Sequence, residues 1–459
     1  MKKFLLVLAV IIGVIALLPI LGNKVADKVL KDGIELLTSN GLELKNDKTD
    51  STYLSTKKHY EFLLSDASKF ISYINQNSDA KIPHISDSIM SGATVGVDIQ
   101  YSNFPFSSKV LVDIYPLSLP TKMTSELRKE DINFYIYIDK LLKSKGILYH
   151  INYYMDDELF NGYIKNIDEA YMFDNGTKMT FKLLNSTYYG EGSLIAPRNL
   201  QTGISNIIIN INKSGENIVL EMHDLTSAST FESQSTYAAS AAMKSMLISV
   251  SKSNSDKLEA ELNNMKVNIS SNTQGNKAEL YTKSSLEEFK INSSGINIIA
   301  SGFNYDISLE AIDKDSYEEF IKLTSQTNTN NSAEFEQKFQ ATIIKLLSKG
   351  LSFSVADLSI NKIARKDKKA IEGFSVMARV VLNEDANLAK KLKSSSKSLT
   401  DSINLSSTIK ISKELYMLIN KEAPVTAVAN SLAKEDGNKL VFEIKLNKSK
   451  LTVNDKEIK

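Results

Sequence analysis

Cysteine is absent from all 459 residues, and that absence excludes disulfides, thiolate metal sites and cysteine nucleophiles. It removes the attachment residue of a lipoprotein as well. Tryptophan is missing, and histidine occurs four times, at His59, His84, His150 and His223. None of the four has a partner at i+4, the spacing a helical metal site needs. Seven prolines and 19 glycines form no Pro/Gly-rich linker that would separate independent domains. Charge of one sign is also lacking. Lys plus Arg is 55 and Asp plus Glu is 54, leaving +1, which argues against a dedicated nucleic-acid binder.

What is present is a globular composition, 42% hydrophobic and 24% charged, so wholesale disorder is excluded. The length is worth about three domains at about 150 residues each. The first stretch is the most informative. Lys2 and Lys3 precede an uncharged run from Phe4 to Leu21. At about 1.5 Å per residue it reaches roughly 27 Å, enough for a thin bilayer core. A cleaved signal peptide and a buried helix are the rival readings. Lys24 would stand at −3 if Ala26 were −1, a poor cleavage site. The expectation is therefore a cytoplasmic tail at 1–3 and a single transmembrane anchor at 4–22, with the remaining chain in a periplasm-like space. Lys24, Lys28 and Lys31 just after the run weigh against that orientation.

Helical spacing continues to about Thr38 and returns from Tyr60 to Gln76, so residues 23–91 read as a helical stalk region. From residue 92 the apolar period becomes two. Val110, Val112 and Ile114 show it, then Ile207, Ile209 and Ile211, then Phe303, Tyr305, Ile307 and Leu309. Residues 92–310 therefore read as antiparallel β. An Ala-rich stretch from Tyr237 to Val250 reads as a helix within it. Residues 311–459 read as a helix pair (316–324 and 333–348, closed by Gly350), a helix near 413–434 and a final β-hairpin, all in the same extracytoplasmic body. The fold expectation is α+β: one transmembrane helix, then long antiparallel sheets with packed amphipathic helices. Strand-then-helix order recurs in Ile307–Ile321 and Thr408–Ile419. Two related modules or convergent patterning would each account for it.

Three segments carry a resemblance. They are Tyr101-Ser-Asn-Phe-Pro-Phe-Ser-Ser-Lys-Val-Leu-Val112 after the anchor, the helix pair closing at Lys349-Gly350, and Ile409-Lys-Ile-Ser-Lys-Glu-Leu415 ahead of a hairpin through Lys450-Leu-Thr-Val-Asn454. In this order they resemble the YdgA-like bacterial proteins, a family of unknown function, although the family's His-Gly-Pro-Phe turn is absent. The resemblance implies an inner-membrane-anchored periplasmic protein of Gram-negative type. It implies no catalytic residues.

Candidate chemistry is sparse. His150 lies near Asp156, Asp157 and Glu158, which reads as a strand histidine followed by an acidic turn, with a metal or general-base site as the sharper alternative. Ser-x-x-Lys occurs at Ser249/Lys252, Ser394/Lys397 and Ser407/Lys410 without the companion motifs of a serine acyl-enzyme. Gly190-Glu-Gly-Ser193 reads as a turn. The runs Phe134-Tyr-Ile-Tyr137 and Tyr153-Tyr154 read as alternating strand aromatics that pack across strands or stack on sugars or bases. No catalytic, cofactor or metal residue is assigned. The expectation is a non-enzymatic envelope protein, held in the inner membrane by residues 4–22, that binds a lipid, polymer or protein partner. A divergent membrane-tethered hydrolase is the alternative.

Overall fold

The computed structural model describes residues 34–77, 90–104, 108–193, 197–233, 235–252, 256–325, 333–365, 368–385, 387–388, 391, 400–422 and 431–458. The expected span at 4–22 lies outside them. Among the described residues no helix is long and apolar enough to cross a membrane. The chain divides into two compact units, Met1–Ser214 with Asp224–Phe231 and Gly215–His223 with Glu232–Lys459.

The α+β expectation is not met. Antiparallel sheet dominates, with 63% of the described residues in strands and 21% in helices. The Ala-rich stretch is the clearest single reversal, because residues 236–252 form a strand. Small residues suit a helix in isolation, but Ala239, Ala241 and Met243 stand opposite Ile269, Val267 and Met265. Cross-strand pairing overrides the propensity of alanine. The stalk expectation fails for the same reason, since Phe62 and Leu63 lie in a strand and the helix begins only at Ala67.

In the first unit the elements run β1 (Leu42–Ser51), β2 (Ser55–Leu64), α1 (Ala67–Asn77), β3 (Thr94–Ser102), β4 (Lys109–Ser118), α2 (Thr121–Glu130) and α3 (Ile132–Lys143). They continue with β5 (Tyr149–Tyr154), β6 (Leu159–Ile164), β7 (Ile167–Met172), β8 (Lys178–Leu184), β9 (Ser186–Gly192) and β10 (Pro197–Lys213). Strands β1 to β6 pair in chain order, all antiparallel, and β9 then joins β6 to β10. Alternation sorts the faces cleanly. Phe62, Val97, Val112, Ile114, Ile151 and Phe160 are buried on one face. Helix α3 packs against β4 and buries Phe134, Ile138 and Leu142. Its first turn is closed by Asp131, whose side chain accepts from the Phe134 N–H at 2.8 Å.

Strand β11 (Glu216–Ser233) is divided between the units. The second unit continues with β12 (Thr236–Lys252), β13 (Asp256–Gln274), β14 (Lys277–Ser293), β15 (Ile296–Asp313), α4 (Lys314–Ser325), α5 (Ala333–Ser348), β16 (Leu351–Arg365), β17 (Ile371–Leu382) and β18 (Ile403–Ser412). It ends with α6 (Lys413–Glu422), β19 (Lys434–Asp436), β20 (Lys439–Asn447), β21 (Lys450–Val453) and β22 (Lys456–Glu457). Strands β12 to β18 pair in chain order, then β20 joins β18. Two strands run straight into helices. Asp313 caps α4 by accepting from the Ser316 N–H at 3.0 Å, and Ser412 accepts from the Leu415 N–H at 3.2 Å. A buried hydrophobic cluster of this unit lies under α4, where Ala278, Ile312 and Tyr317 meet Ile321 and Leu346.

Candidate functional site: an apolar sheet face and a histidine–carboxylate row

The pairing register of the second unit lines up four rows of side chains across β15, β16, β17, β18 and β20. One row is Leu309–Phe353–Val380–Leu405–Leu446, the next Ile307–Val355–Ala378–Ser407–Ile444. The third is Tyr305–Leu358–Val376–Ile409–Phe442, the fourth Phe303–Ile360–Phe374–Ile411–Leu440. In these rows Ser407 and the Tyr305 hydroxyl are the only polar side-chain groups. Residues between the rows point to the other face and are mostly polar, as with Asp306, Asp357, Ser375, Arg379, Lys410 and Lys445, with Met377 and Val441 as apolar exceptions. Such alternation normally marks a face packed on a core. Yet every residue of the four rows stays half-buried, and among the described residues helices α4 and α6 meet the face toward its ends. Helix α4 packs on β14 and β15 and reaches Leu309 in the first row, and α6 meets β17, β18 and β20 as far in as Phe442 in the third row. Tyr416 of α6 lies 6.2 Å from the Phe442 ring. Among the described residues the helix contacts on this face gather at its two ends. At about 4.8 Å between strands and about 6.7 Å between same-face residues the four rows together, ends included, measure roughly 20 by 20 Å, within the size range of patches that carry function.

The first unit has a polar face opposite its core. There one row of directly opposed residues runs Lys48–His59–Asp98–Asp113–His150–Tyr163 over β1 to β6. His59 and His150, 91 positions apart in the chain, thus flank two adjacent carboxylates. His59 Nδ1 lies 2.6 Å from Asp98 Oδ1 and its Nε2 lies 3.1 Å from Glu61 Oε1. His150 Nδ1 lies 2.6 Å from Asp113 Oδ1, with its ring 4.9 Å from that of Tyr163. Asp98 also accepts from Lys145 Nζ at 2.5 Å and from the Tyr115 hydroxyl at 3.1 Å. From Lys48 to His150 the row lines a cleft of about 750 Å³ together with Lys57, Gln100 and Leu111.

Two carboxylates facing each other on neighbouring strands repel, and the Lys145 ammonium on Asp98 offsets that repulsion. Burial alone would lower His59, but hydrogen bonds to Asp98 and Glu61 hold it above its ordinary 6.5. Burial alone would raise Asp98, but Lys145 and His59 hold it below its ordinary 3.8. A raised histidine contributes stability that is complete below about 6.5 and lost as pH climbs through the raised value. A lowered aspartate contributes stability that is complete above about 3.8 and lost as pH falls through the lowered value. Thermal unfolding followed from pH 5 to 8.5 should therefore show the midpoint falling on the alkaline side. His59→Gln should flatten that fall. An unchanged slope in the variant would show that His59 does not cause it.

Gly96 stands opposite Tyr115 on the next strand. A Cβ there would sit 2.5 Å from the Tyr115 ring, so glycine is what lets the ring lie flat over β3 and reach Asp98. Lys145 Nζ covers the other side of that ring at 4.2 Å. Gly96→Val is expected to destabilise the first unit by about 1–3 kcal/mol through overpacking, measurable by denaturant unfolding. A loss under about 0.5 kcal/mol would mean the ring moves aside freely.

The remaining sequence candidates disperse. The partner of His150 is Asp113, while Glu158 bonds Arg198 at 2.7 Å, so the Asp156–Glu158 run is a turn apart from it. His223 lies on β11 with Glu221 Oε2 3.7 Å away. His84, Ser394 and Lys397 lie outside the described residues. Ser249/Lys252 and Ser407/Lys410 are three apart on strands, which puts each pair on opposite faces. Gly190 is not a turn residue but part of β9, with the Phe160 ring packed where its Cβ would be. Phe134 and Tyr137 lie on helix α3, where Phe134 packs 4.9 Å from the Tyr171 ring and 5.0 Å from the Phe173 ring. Sequence reasoning missed the histidine–carboxylate row, and the alternation Lys57–His59–Glu61 was its one local sign. Comparison with protein-family models, curated proteins and solved structures found no match to this chain.

Proposed function

We propose that this chain is a non-enzymatic, membrane-anchored envelope protein that works by binding a partner on the open sheet face of its second unit. The observation that carries the reading is the set of four apolar rows left half-exposed where a second layer would ordinarily pack. An apolar patch of this extent on a protein surface commonly marks an interaction site. The uncharged run from Phe4 to Leu21 supports attachment to the inner membrane, with the body on the periplasmic side.

The cleft of the first unit favours the hydrolase reading to a limited degree, since each imidazole is oriented by a carboxylate as a general base would be. Among the described residues no serine or threonine hydroxyl is bonded to either ring, and the second nitrogen of His59 is taken by Glu61. That pattern fits a structural ion-pair row better than an activated nucleophile.

Complementation of a deletion strain separates the two. The double variant His59→Gln/His150→Gln should keep function at normal abundance, and Val376→Lys/Ile409→Lys should lose it while staying folded. If the histidine variant is inactive though folded and abundant, the binding reading falls and the hydrolase takes its place. Carbonate washing tests the anchor. The full-length chain should stay with the membrane, and release of intact protein would contradict the anchoring.

A further inference from the structure

We infer that the open face of the second unit holds the acyl chains of bilayer phospholipids. The inference deepens the binding reading above and rests on it. Three features select this occupant. First, the face offers almost nothing to hydrogen-bond. Across 20 positions in four rows only Ser407 and the Tyr305 hydroxyl are polar, whereas protein partners typically bring about one hydrogen bond per 100–200 Å².

Second, its size fits hydrocarbon better than another copy of the chain. The face spans about 400 Å² in projection, about half the roughly 800 Å² per partner of a standard protein interface. Its 20 Å edge matches the roughly 15 Å hydrocarbon depth of one leaflet with room for two or more chains side by side. Helices close off the two ends, with Tyr317 and Ile321 at one and Tyr416 at the other, so the unpacked part is a bounded floor.

Third, the chain itself places lipid within reach. The 33 residues ahead of the first described position include the 18-residue uncharged run proposed above as the anchor. A sheet face tethered at the bilayer surface meets phospholipid at far higher local concentration than any soluble amphiphile.

The test uses the full chain reconstituted in vesicles of phosphatidylethanolamine and phosphatidylglycerol carrying a trace of phosphatidylcholine with a diazirine on its acyl chain. After illumination, adducts are mapped by peptide mass spectrometry. Acyl adducts on peptides holding Leu358, Val376 and Ile409 are expected, reduced at least fivefold in Val376→Lys/Ile409→Lys, with adducts in residues 4–22 unchanged as the internal control. Adducts confined to residues 4–22 would overturn the inference. If they are so confined while Val376→Lys/Ile409→Lys still abolishes complementation, the face binds something other than lipid, and the binding reading stands without this one. A free palmitate diazirine probe that labels the face while the phospholipid does not would also overturn it, by naming a soluble fatty acid as the occupant.

Discussion

Ile114→Asp should unfold the first unit. Ile114 is fully buried on β4, in register with Val97 and Tyr149 and under helix α3. An aspartate there has no cation to pair with, and an unpaired buried charge costs more than about 4 kcal/mol. That is a large share of the 5–15 kcal/mol by which a typical domain is stable. Circular dichroism and soluble yield are the readouts, and a folded variant melting within a few degrees of the parent would mean that this face is not the core.

The second large effect distinguishes two apolar positions of one sheet. Ile312 is fully buried in the cluster with Ala278 and Tyr317, so Ile312→Asp should detach α4 and α5 from the sheet at a cost of about 3–5 kcal/mol. Ile409, apolar and flanked by Val376 and Phe442, is only half-buried in the middle of the open face. Ile409→Asp should cost about 1–2 kcal/mol, the value of a partly exposed side chain. Equal losses at the two sites, measured by denaturant unfolding, would show that the face is packed after all.

These contrasts also explain how much of the molecule can be read in its sequence. The period-two runs at Val110–Ile114 and Phe303–Leu309 are legible because alternation is local, and the structure has strands at both. The helices at 314–325 and 333–348 are legible from their 3.6-residue spacing and from Gly350, whose φ of +74° suits the turn back into strand. The strand at 236–252 is not legible, since what makes it a strand is the Ile269, Val267 and Met265 opposite it. The row His59–Asp98–Asp113–His150 is hidden more deeply. Each neighbour comes from a different strand, and lateral register depends on turns and bulges that no single segment encodes. The open face is half legible. Its apolar alternation is plain at Phe353–Val355 and Phe374–Val376, but alternation looks the same whether a second layer covers it or not.

Whether that face is lined by hydrocarbon can be measured at single positions, and the absence of native cysteine makes the labelling clean. Nitroxide labels at Ile409→Cys and Lys410→Cys, neighbours on β18 that point to opposite faces, would report accessibility to oxygen and to a water-soluble nickel chelate in vesicle-bound full chain. High oxygen and low nickel accessibility is expected at 409, and the reverse at 410. Equal, nickel-dominated accessibility at both positions would contradict it.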